Sequence, residues 1–131
     1  MQIQHDTTVV VTDGEKLRLF RNTGDELHLA LTELPRPDVH GSTEGSTHQQ
    51  HSGQGGRDHQ EASFTAAVAK WLNHSVATGS IKQLLVIAPP RALGQLRQQY
   101  SDALQKTLVG ELAKEHTQDA VHGLEHAVND A

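Results

Sequence analysis

The stretch that decides the fold is Thr8-Val9-Val10-Val11-Thr12-Asp13-Gly14, a β-branched run that ends in a turn dipeptide. An unbroken run of β-branched residues is typical of a strand covered on both faces. Asp-Gly readily adopts the positive φ angles of a tight hairpin turn, so the chain is expected to reverse direction there. Leu17 and Leu19 alternate with polar residues directly afterwards and supply the second strand of the hairpin.

A third antiparallel strand is predicted after the turn residues Thr23-Gly24-Asp25. Leucine stands at every second position from Leu27 to Leu31, and a period of two indicates a half-buried strand. The chain is therefore expected to open with a three-stranded meander.

The second half of the chain alternates helices and strands. A helix is predicted from an N-cap at Asp58, with Glu61 three residues later, to Gly79. The apolar run Leu84–Ala88 predicts another strand covered on both faces. Pro89-Pro90 ends that strand and starts a second helix, whose apolar side is expected to extend through Tyr100 to Leu104.

A weaker strand and a last helix complete the pattern. Leu108–Ala113 supplies the strand, and Thr117 is the predicted cap of a helix that carries Val121, Leu124 and Val128. The order is β-β-β-α-β-α-β-α. Right-handed crossovers then give an α/β fold with a five-stranded mixed sheet in the order 3-2-1-4-5 and helices on both faces.

Residues 36–58 differ abruptly in composition from the rest of the chain. Val39 is the one aliphatic residue between Pro35 and Gln60, among glycines and histidines. Such a segment buries too little apolar surface to offset the entropy of ordering it. We expect a single α/β domain over residues 1–131 with a flexible Gly/His-rich loop at about 36–58.

Composition limits the classes of function. Of the 131 residues 35% are hydrophobic and 21% charged, the mean hydropathy is −0.53, and the net charge is −5 with histidine neutral. An acidic balance disfavours non-specific nucleic-acid binding, which needs many cationic contacts to phosphate. No run is long enough to cross a bilayer, and there is no cysteine for disulfide, thiolate or zinc chemistry. A cytoplasmic protein without a cofactor is expected.

Candidate catalytic groups are few. The sheet order matches two-metal nucleases of the ribonuclease H type, and Asp13 and Glu61 stand at the ends of the elements that such a site would use. The fourth strand, however, ends in Ala88-Pro89 without a carboxylate. The sequence has no nucleophile elbow, P-loop or dinucleotide-binding glycine motif. A non-enzymatic protein is favoured, and an activity is left open.

Histidines supply the weak candidates for a metal site. They are His40, His48, His51 and His59 in and beside the loop, and His122 and His126 four residues apart on the last predicted helix. Histidine is the commonest metal ligand. Neither set has a defined carboxylate or cysteine partner at a recognised spacing, so a solvated loop and a polar helix face are the alternatives.

Three segments resemble the bacterial host-attachment protein family. They are Val9–Arg21, Leu85–Arg97 with Ala-Pro-Pro-Arg-Ala-Leu-Gly at its centre, and Gly110–Thr117. Together they span almost the whole chain apart from the loop, and the second is the most specific.

That family is similar in turn to the middle domain of archaeal and eukaryotic peptide release factors. The resemblance implies a β-meander, then a Gly-rich loop, then a helix that opens with an aromatic residue. In release factors this loop carries a Gly-Gly-Gln tripeptide that enters the peptidyl-transferase centre. The stretch here is Ser52-Gly53-Gln54-Gly55-Gly56-Arg57, so Arg57 stands where glutamine is required. The resemblance implies a release-factor-like scaffold without the full motif for ester hydrolysis.

An anion or partner-binding site is predicted where the strand order switches, between the first and fourth strands. Ligands bind beyond the carboxyl ends of parallel strands at such points, and the amides at the start of a helix favour an anion. The predicted residues are Arg91, Arg97 and Gly14, with Gly55, Gly56 and Arg57 as a possible second nest of amides. Pairing of Arg91 with a nearby carboxylate is the alternative.

Two functions follow from these features. One is a non-enzymatic interaction protein of the host-attachment family, which binds a protein or a surface through the loop and the anion patch. The other is a release-factor-like protein that acts on the ribosome or tRNA. No membrane partner is expected, and nucleic acid only through the translation apparatus.

Overall fold

The computed structural model describes residues 1–39 and 56–131. Its strands are β1 (Thr8–Thr12), β2 (Leu17–Asn22), β3 (Leu31–Leu34), β4 (Leu84–Ala88) and β5 (Leu108–Ala113), and its helices are α1 (Gly56–Ala77), α2 (Pro90–Arg97), α3 (Asp102–Thr107) and α4 (Val121–Asp130). Over these two ranges the five strands form one mixed sheet in the order β3-β2-β1-β4-β5. The predicted α/β fold and sheet order are confirmed.

The strand β1 is the middle strand of the sheet, and every one of its residues is buried. It pairs antiparallel with β2, where Val10 lies opposite Leu19, and parallel with β4, where Val10 lies opposite Val86. The β4 strand is buried along its whole length as well. The two β-branched or aliphatic runs in the sequence therefore form the two central strands, as predicted.

Each face of the sheet carries its own hydrophobic core. Alternate strand residues, including Val10 and Val86, pack with α1, α2 and α3 on one face. The intervening residues, including Val9 and Val11, pack with Leu124 of α4 on the other. Helices thus cover both faces.

The third strand begins later than predicted. The structure places β3 at Leu31–Leu34, and Leu27 is 75% exposed in the connection before it. Asn22 accepts hydrogen bonds at Oδ1 from the amides of residues 24 and 30, at 3.0 and 3.2 Å. Asp25 accepts hydrogen bonds at Oδ1 from the amides of residues 27 and 28. These amides are bound to side chains, so Leu27 and Leu29 lie in a compact loop and only Leu31 of the alternating leucines belongs to β3.

The predicted second helix is two helices. The α2 helix ends at Arg97, and Ser101 caps α3 by accepting a hydrogen bond at Oγ from the Leu104 amide at 3.1 Å. Asn73 of α1 holds the connection, since its Oδ1 accepts from the Ser101 amide and its Nδ2 donates to the Gln99 carbonyl. The polar cap interrupts the helix that the apolar spacing suggested.

Two helix boundaries also differ from the sequence prediction. The first helix begins at Gly56, two residues before the predicted N-cap position at Asp58. Ala120, not Thr117, is the N-cap of α4. Gly79 follows α1 with φ of +84°, the left-handed conformation expected for a glycine that ends a helix.

The predicted flexible loop falls mostly on residues 40–55, which lie outside the described residues. Residues 35–39 have no regular secondary structure, and residues 56–58 belong to α1. Of the helices in the described part of the chain, none is long and apolar enough to cross a membrane.

Candidate functional site

A cleft opens where the strand order switches, beyond the carboxyl ends of β1 and β4. Its volume is about 270 Å³. We call it the switch-point cleft, and it is lined by Asp13, Gly14, Glu15, Glu61, Pro89, Arg91, Ala92, Gln95 and Glu115. Topology predicts a ligand site at this place in the sheet, and the structure has a cleft there.

Asp13 fixes the β1–β2 turn at the edge of the cleft. Its Oδ1 accepts hydrogen bonds from the amides of Glu15 and Lys16, both at 2.6 Å. This bonding of a side chain to backbone amides two and three residues on explains why Asp stands at the turn. The second carboxylate oxygen remains available for a contact outside the turn.

That contact is with Thr117, from the segment between β5 and α4. Thr117 Oγ1 lies 3.0 Å from Asp13 Oδ2 and 2.7 Å from Glu115 Oε1. Glu115 Oε1 also accepts a hydrogen bond from the Thr117 amide at 2.8 Å. Because one hydroxyl carries one proton, two carboxylates that line the cleft share this buried donor. Sequence reasoning missed this role because Thr117 fits a helix cap equally well.

Arg18 also binds the segment between β5 and α4. Its Nη1 donates to the carbonyls of Thr117 and Asp119, at 3.3 and 2.6 Å, while its Nε and Nη2 donate to the two carboxylate oxygens of Glu33. The hydrogen bonds from Arg18 lower the pKa of the Glu33 carboxyl below its usual value, against the opposing effect of burial. Arg18 therefore joins β2, β3 and the segment before α4.

His116 lies in that segment as well. Its Nδ1 is 2.6 Å from Asp119 Oδ2, and its Nε2 is a buried atom without a hydrogen-bond partner among the described residues. The Asp119 carboxylate thus orients the ring, while burial keeps Nε2 away from solvent.

Gly14 is in close contact with α1. A Cβ atom on Gly14 would lie 2.8 Å from Glu61 Cγ and 2.9 Å from Glu61 Cβ. The turn therefore needs glycine because the Glu61 side chain occupies that space. This contact places the first turns of α1 directly against the cleft.

Arg91 lies on the first turn of α2 and is exposed at the cleft. Four carboxylate residues line the same cleft: Asp13, Glu15, Glu61 and Glu115. The electrostatic balance of the cleft is therefore acidic around a single guanidinium. Binding of an anion by Arg91 stays a prediction.

Arg97 does not reach the switch-point cleft. Its Nη2 and Nε donate to Glu111 Oε1, at 2.7 and 3.0 Å, and Tyr100 donates its hydroxyl to Glu111 Oε2 at 3.3 Å. Burial, and then the Glu111 charge, raise the pKa of the Tyr100 phenol. Arg97 thus joins α2 to β5.

The other predicted residues are distributed as follows. Gly56 and Arg57 form the first turn of α1, while Gly55 lies outside the described residues, as do His40, His48 and His51. His122 and His126 lie on the exposed side of α4. Within residues 1–39 and 56–131, no group of three or more His, Asp or Glu side chains could hold a metal ion.

The cleft brings together the three segments that carried the family resemblance. Asp13 and Gly14 come from the first, Pro89 and Arg91 from the second, and Glu115 from the third. These residues are far apart in the sequence, and the sheet places them on one surface.

Comparison with known proteins gives two matches. The family model described as bacterial archaeo-eukaryotic release factor family 12 matches residues 6–128. An uncharacterized protein of Rickettsia prowazekii (strain Madrid E) is 34% identical over 89 residues, which cover 66% of this chain and 58% of that protein. The chain thus aligns with less than two thirds of the relative's length.

Proposed function

The chain belongs to bacterial archaeo-eukaryotic release factor family 12, and from this membership we propose that it is a non-enzymatic, release-factor-like protein that binds the translation apparatus. The proposed binding surface is the switch-point cleft together with the Gly-rich stretch that leads into α1. In this proposal the protein works in the cytoplasm, where ribosomes and tRNA are found.

The observation that carries the proposal is the convergence of the three family-like segments on one cleft. Strand pairing alone would fix the hairpin and β4, but it does not require the segment after β5 to reach the β1–β2 turn. Thr117 makes that connection through Asp13, and Arg18 reinforces it through backbone carbonyls. These contacts hold the three segments together at the carboxyl ends of β1 and β4, where ligand sites lie in sheets of this kind.

The first turns of α1 lie beside this cleft. The α1 helix begins at Gly56, and the side chain of Glu61 packs on Gly14. Five residues of helix span about 7.5 Å. Gly56, the first residue of α1, therefore lies close to the cleft. In the proposal, the stretch Ser52–Arg57, which corresponds to the release-factor tripeptide region in the resemblance, acts together with the cleft.

Arg57 supports binding without hydrolysis. A glutamine amide has both a carbonyl acceptor and an NH₂ donor with which to orient a water molecule, whereas a guanidinium has donors only. A cation at this position favours contact with phosphate instead. In the proposal, Arg57 and Arg91 contact backbone phosphates of ribosomal RNA or tRNA.

The acidic lining of the cleft favours a second candidate function. Asp13, Glu15, Glu61 and Glu115 would attract a basic protein segment more readily than RNA. A protein partner is also the function that resemblance to the host-attachment family implied. In this candidate the cleft binds a cationic side chain, and the ribosome is not required.

The experiment that tests the proposal measures binding and peptide release on the same programmed ribosomes. The purified chain is expected to co-sediment with ribosomes and to leave peptidyl-tRNA intact. The Arg57→Gln variant tests whether arginine in place of glutamine is by itself what prevents hydrolysis. Arg57→Lys is its charge-preserving control. Robust release by the unaltered chain would refute the non-enzymatic part. Absence from the ribosome pellet, with capture of a specific protein from lysate, would favour the second candidate.

A further inference from the structure

The exposed side of α4 presents two imidazoles one helical turn apart. The side chain of His122 is 97% exposed and that of His126 is 78% exposed. Residues four apart on a helix lie on the same face, with about 5–6 Å between their Cβ atoms. The two rings can therefore approach one ion from the same side, as the paired histidines of helical zinc motifs do.

The carboxylate of Glu125 orients the first ring. Its Oε1 lies 3.0 Å from His122 Nδ1, and its Oε2 accepts a hydrogen bond from the Leu31 amide at 2.8 Å. Glu125 is itself held on β3 and only 20% exposed, so it is a fixed acceptor for the ring. With the proton on Nδ1, the lone pair of His122 Nε2 remains available to a ligand. A carboxylate behind a metal-binding histidine commonly has this role.

The second ring is less constrained. His126 Nε2 lies 3.0 Å from Asp130 Oδ2, and the Asp130 side chain is 66% exposed. A contact between two exposed groups contributes little to stability, so it can be exchanged for another ligand at low cost. Rotation of His126 would bring one of its nitrogens to the ion.

We infer that His122 and His126 form a two-ligand site for a divalent transition-metal cation, with Glu125 as the positioning residue. Imidazole ligands suit Zn²⁺, Ni²⁺ and Cu²⁺, whereas Mg²⁺ and Ca²⁺ prefer oxygen. Two protein ligands leave the other coordination positions to water or to donors from another molecule.

The test is calorimetric titration of the full chain with zinc chloride and, separately, with magnesium chloride. To exclude any contribution from the loop histidines, the titration is made in a His48→Ala/His51→Ala background. One zinc equivalent is expected to disappear in His122→Ala and in His126→Ala, with no magnesium binding. Zinc is also expected to slow amide hydrogen exchange in α4 of the unaltered chain.

Two further variants separate the site from adventitious binding. Glu125→Gln leaves one acceptor oxygen for two hydrogen bonds, so zinc affinity is expected to fall by about 10–100-fold. His28→Ala is the matched control, because His28 is exposed and paired with Asp25 but lies outside any helix. An unchanged zinc stoichiometry in His122→Ala, or an equal loss in His28→Ala, would overturn the inference.

Discussion

Thr117 donates a hydrogen bond from Oγ1 to Asp13 Oδ2 over 3.0 Å, across 104 residues of sequence. This contact joins the segment before α4 to the β1–β2 turn, and its acceptor, Asp13, lines the switch-point cleft. The cleft therefore depends on a contact that neither the hairpin nor the helix pattern requires. The predictions below test this arrangement first and then its function.

Replacing Thr117 by valine keeps its size and removes the hydroxyl. Thr117 is buried, so Asp13 Oδ2 and Glu115 Oε1 would lose a donor that water cannot readily replace. The free energy of unfolding is expected to fall by about 1–2 kcal/mol in urea denaturation. Thr107→Val is the control, because its hydroxyl bonds only a carbonyl of its own helix. If both variants lose the same free energy of unfolding, the hydrogen bond from Thr117 to Asp13 contributes no more to stability than a bond within a helix.

A methyl group on Gly14 is expected to destabilise the fold. The added Cβ would lie 2.8–3.0 Å from Glu61 side-chain atoms, so either the Glu61 side chain or the whole of α1 must move. We expect this movement to lower the free energy of unfolding by about 1–3 kcal/mol. Gly94 in α2 is the matched control, since a Cβ there meets nothing within 4 Å. Gly94→Ala is expected to be neutral or stabilising by about 0.5–1 kcal/mol, because alanine favours helix. Thermal unfolding of both variants decides the point, and a tolerated Gly14→Ala would contradict the close contact.

Tyr100 is the one tyrosine of the chain, so its ionisation can be followed by absorbance at alkaline pH. Burial and the Glu111 carboxylate raise its pKa above the usual value of 10.0. The unfolded chain therefore ionises first, and this contribution to stability is present below pH 10 and lost as pH rises further. Tyr100→Phe is expected to show a shallower alkaline loss of stability. Phenolate absorbance that appears with the usual pKa in the folded protein would contradict the burial of this group.

Arg91 is expected to contribute to partner binding and little to stability. In Arg91→Ala, the loss of a single charge-assisted contact should weaken ribosome binding by about 1–3 kcal/mol. The slope of log affinity against log salt concentration should fall by about 1, as for the loss of one phosphate contact. Lys82→Ala is the control, because Lys82 is an exposed cation at the opposite end of β4. If Arg91→Ala instead lowers the melting temperature and leaves binding per folded molecule unchanged, Arg91 is a structural residue.

The sheet could be predicted from sequence because its central strands are long apolar runs. Thr8–Thr12 and Leu84–Ala88 have no alternative that buries them as well, and the crossover rule then fixes their order. The third strand could not be placed correctly, because the leucines from Leu27 to Leu31 have the spacing of a strand. Asn22 and Asp25 bind the backbone amides that a strand would need, and periodicity does not report such competition.

The candidate site was only partly predictable for a similar reason. Topology gave the position of the cleft and of Arg91, because ligand sites follow from strand order. It gave no information on Glu115 and Thr117, whose contacts depend on the path of a short irregular segment. The sequence offers Asp13 and Glu61 together as candidate carboxylates of a two-metal site. The structure places both in the cleft, where Asp13 bonds the turn amides and Glu61 packs on Gly14.

The central claim, that this chain binds the translation apparatus through the cleft and the adjoining Gly-rich stretch, is tested most directly by equilibrium co-sedimentation with purified ribosomes. The fraction of chain in the pellet is measured over a range of salt concentrations, for the unaltered protein and for a Gly53→Asp/Gly55→Asp variant. The account predicts saturable binding that weakens with salt and is reduced in the variant, since added carboxylates repel phosphate. Recovery of the unaltered chain entirely in the supernatant at low salt would contradict it.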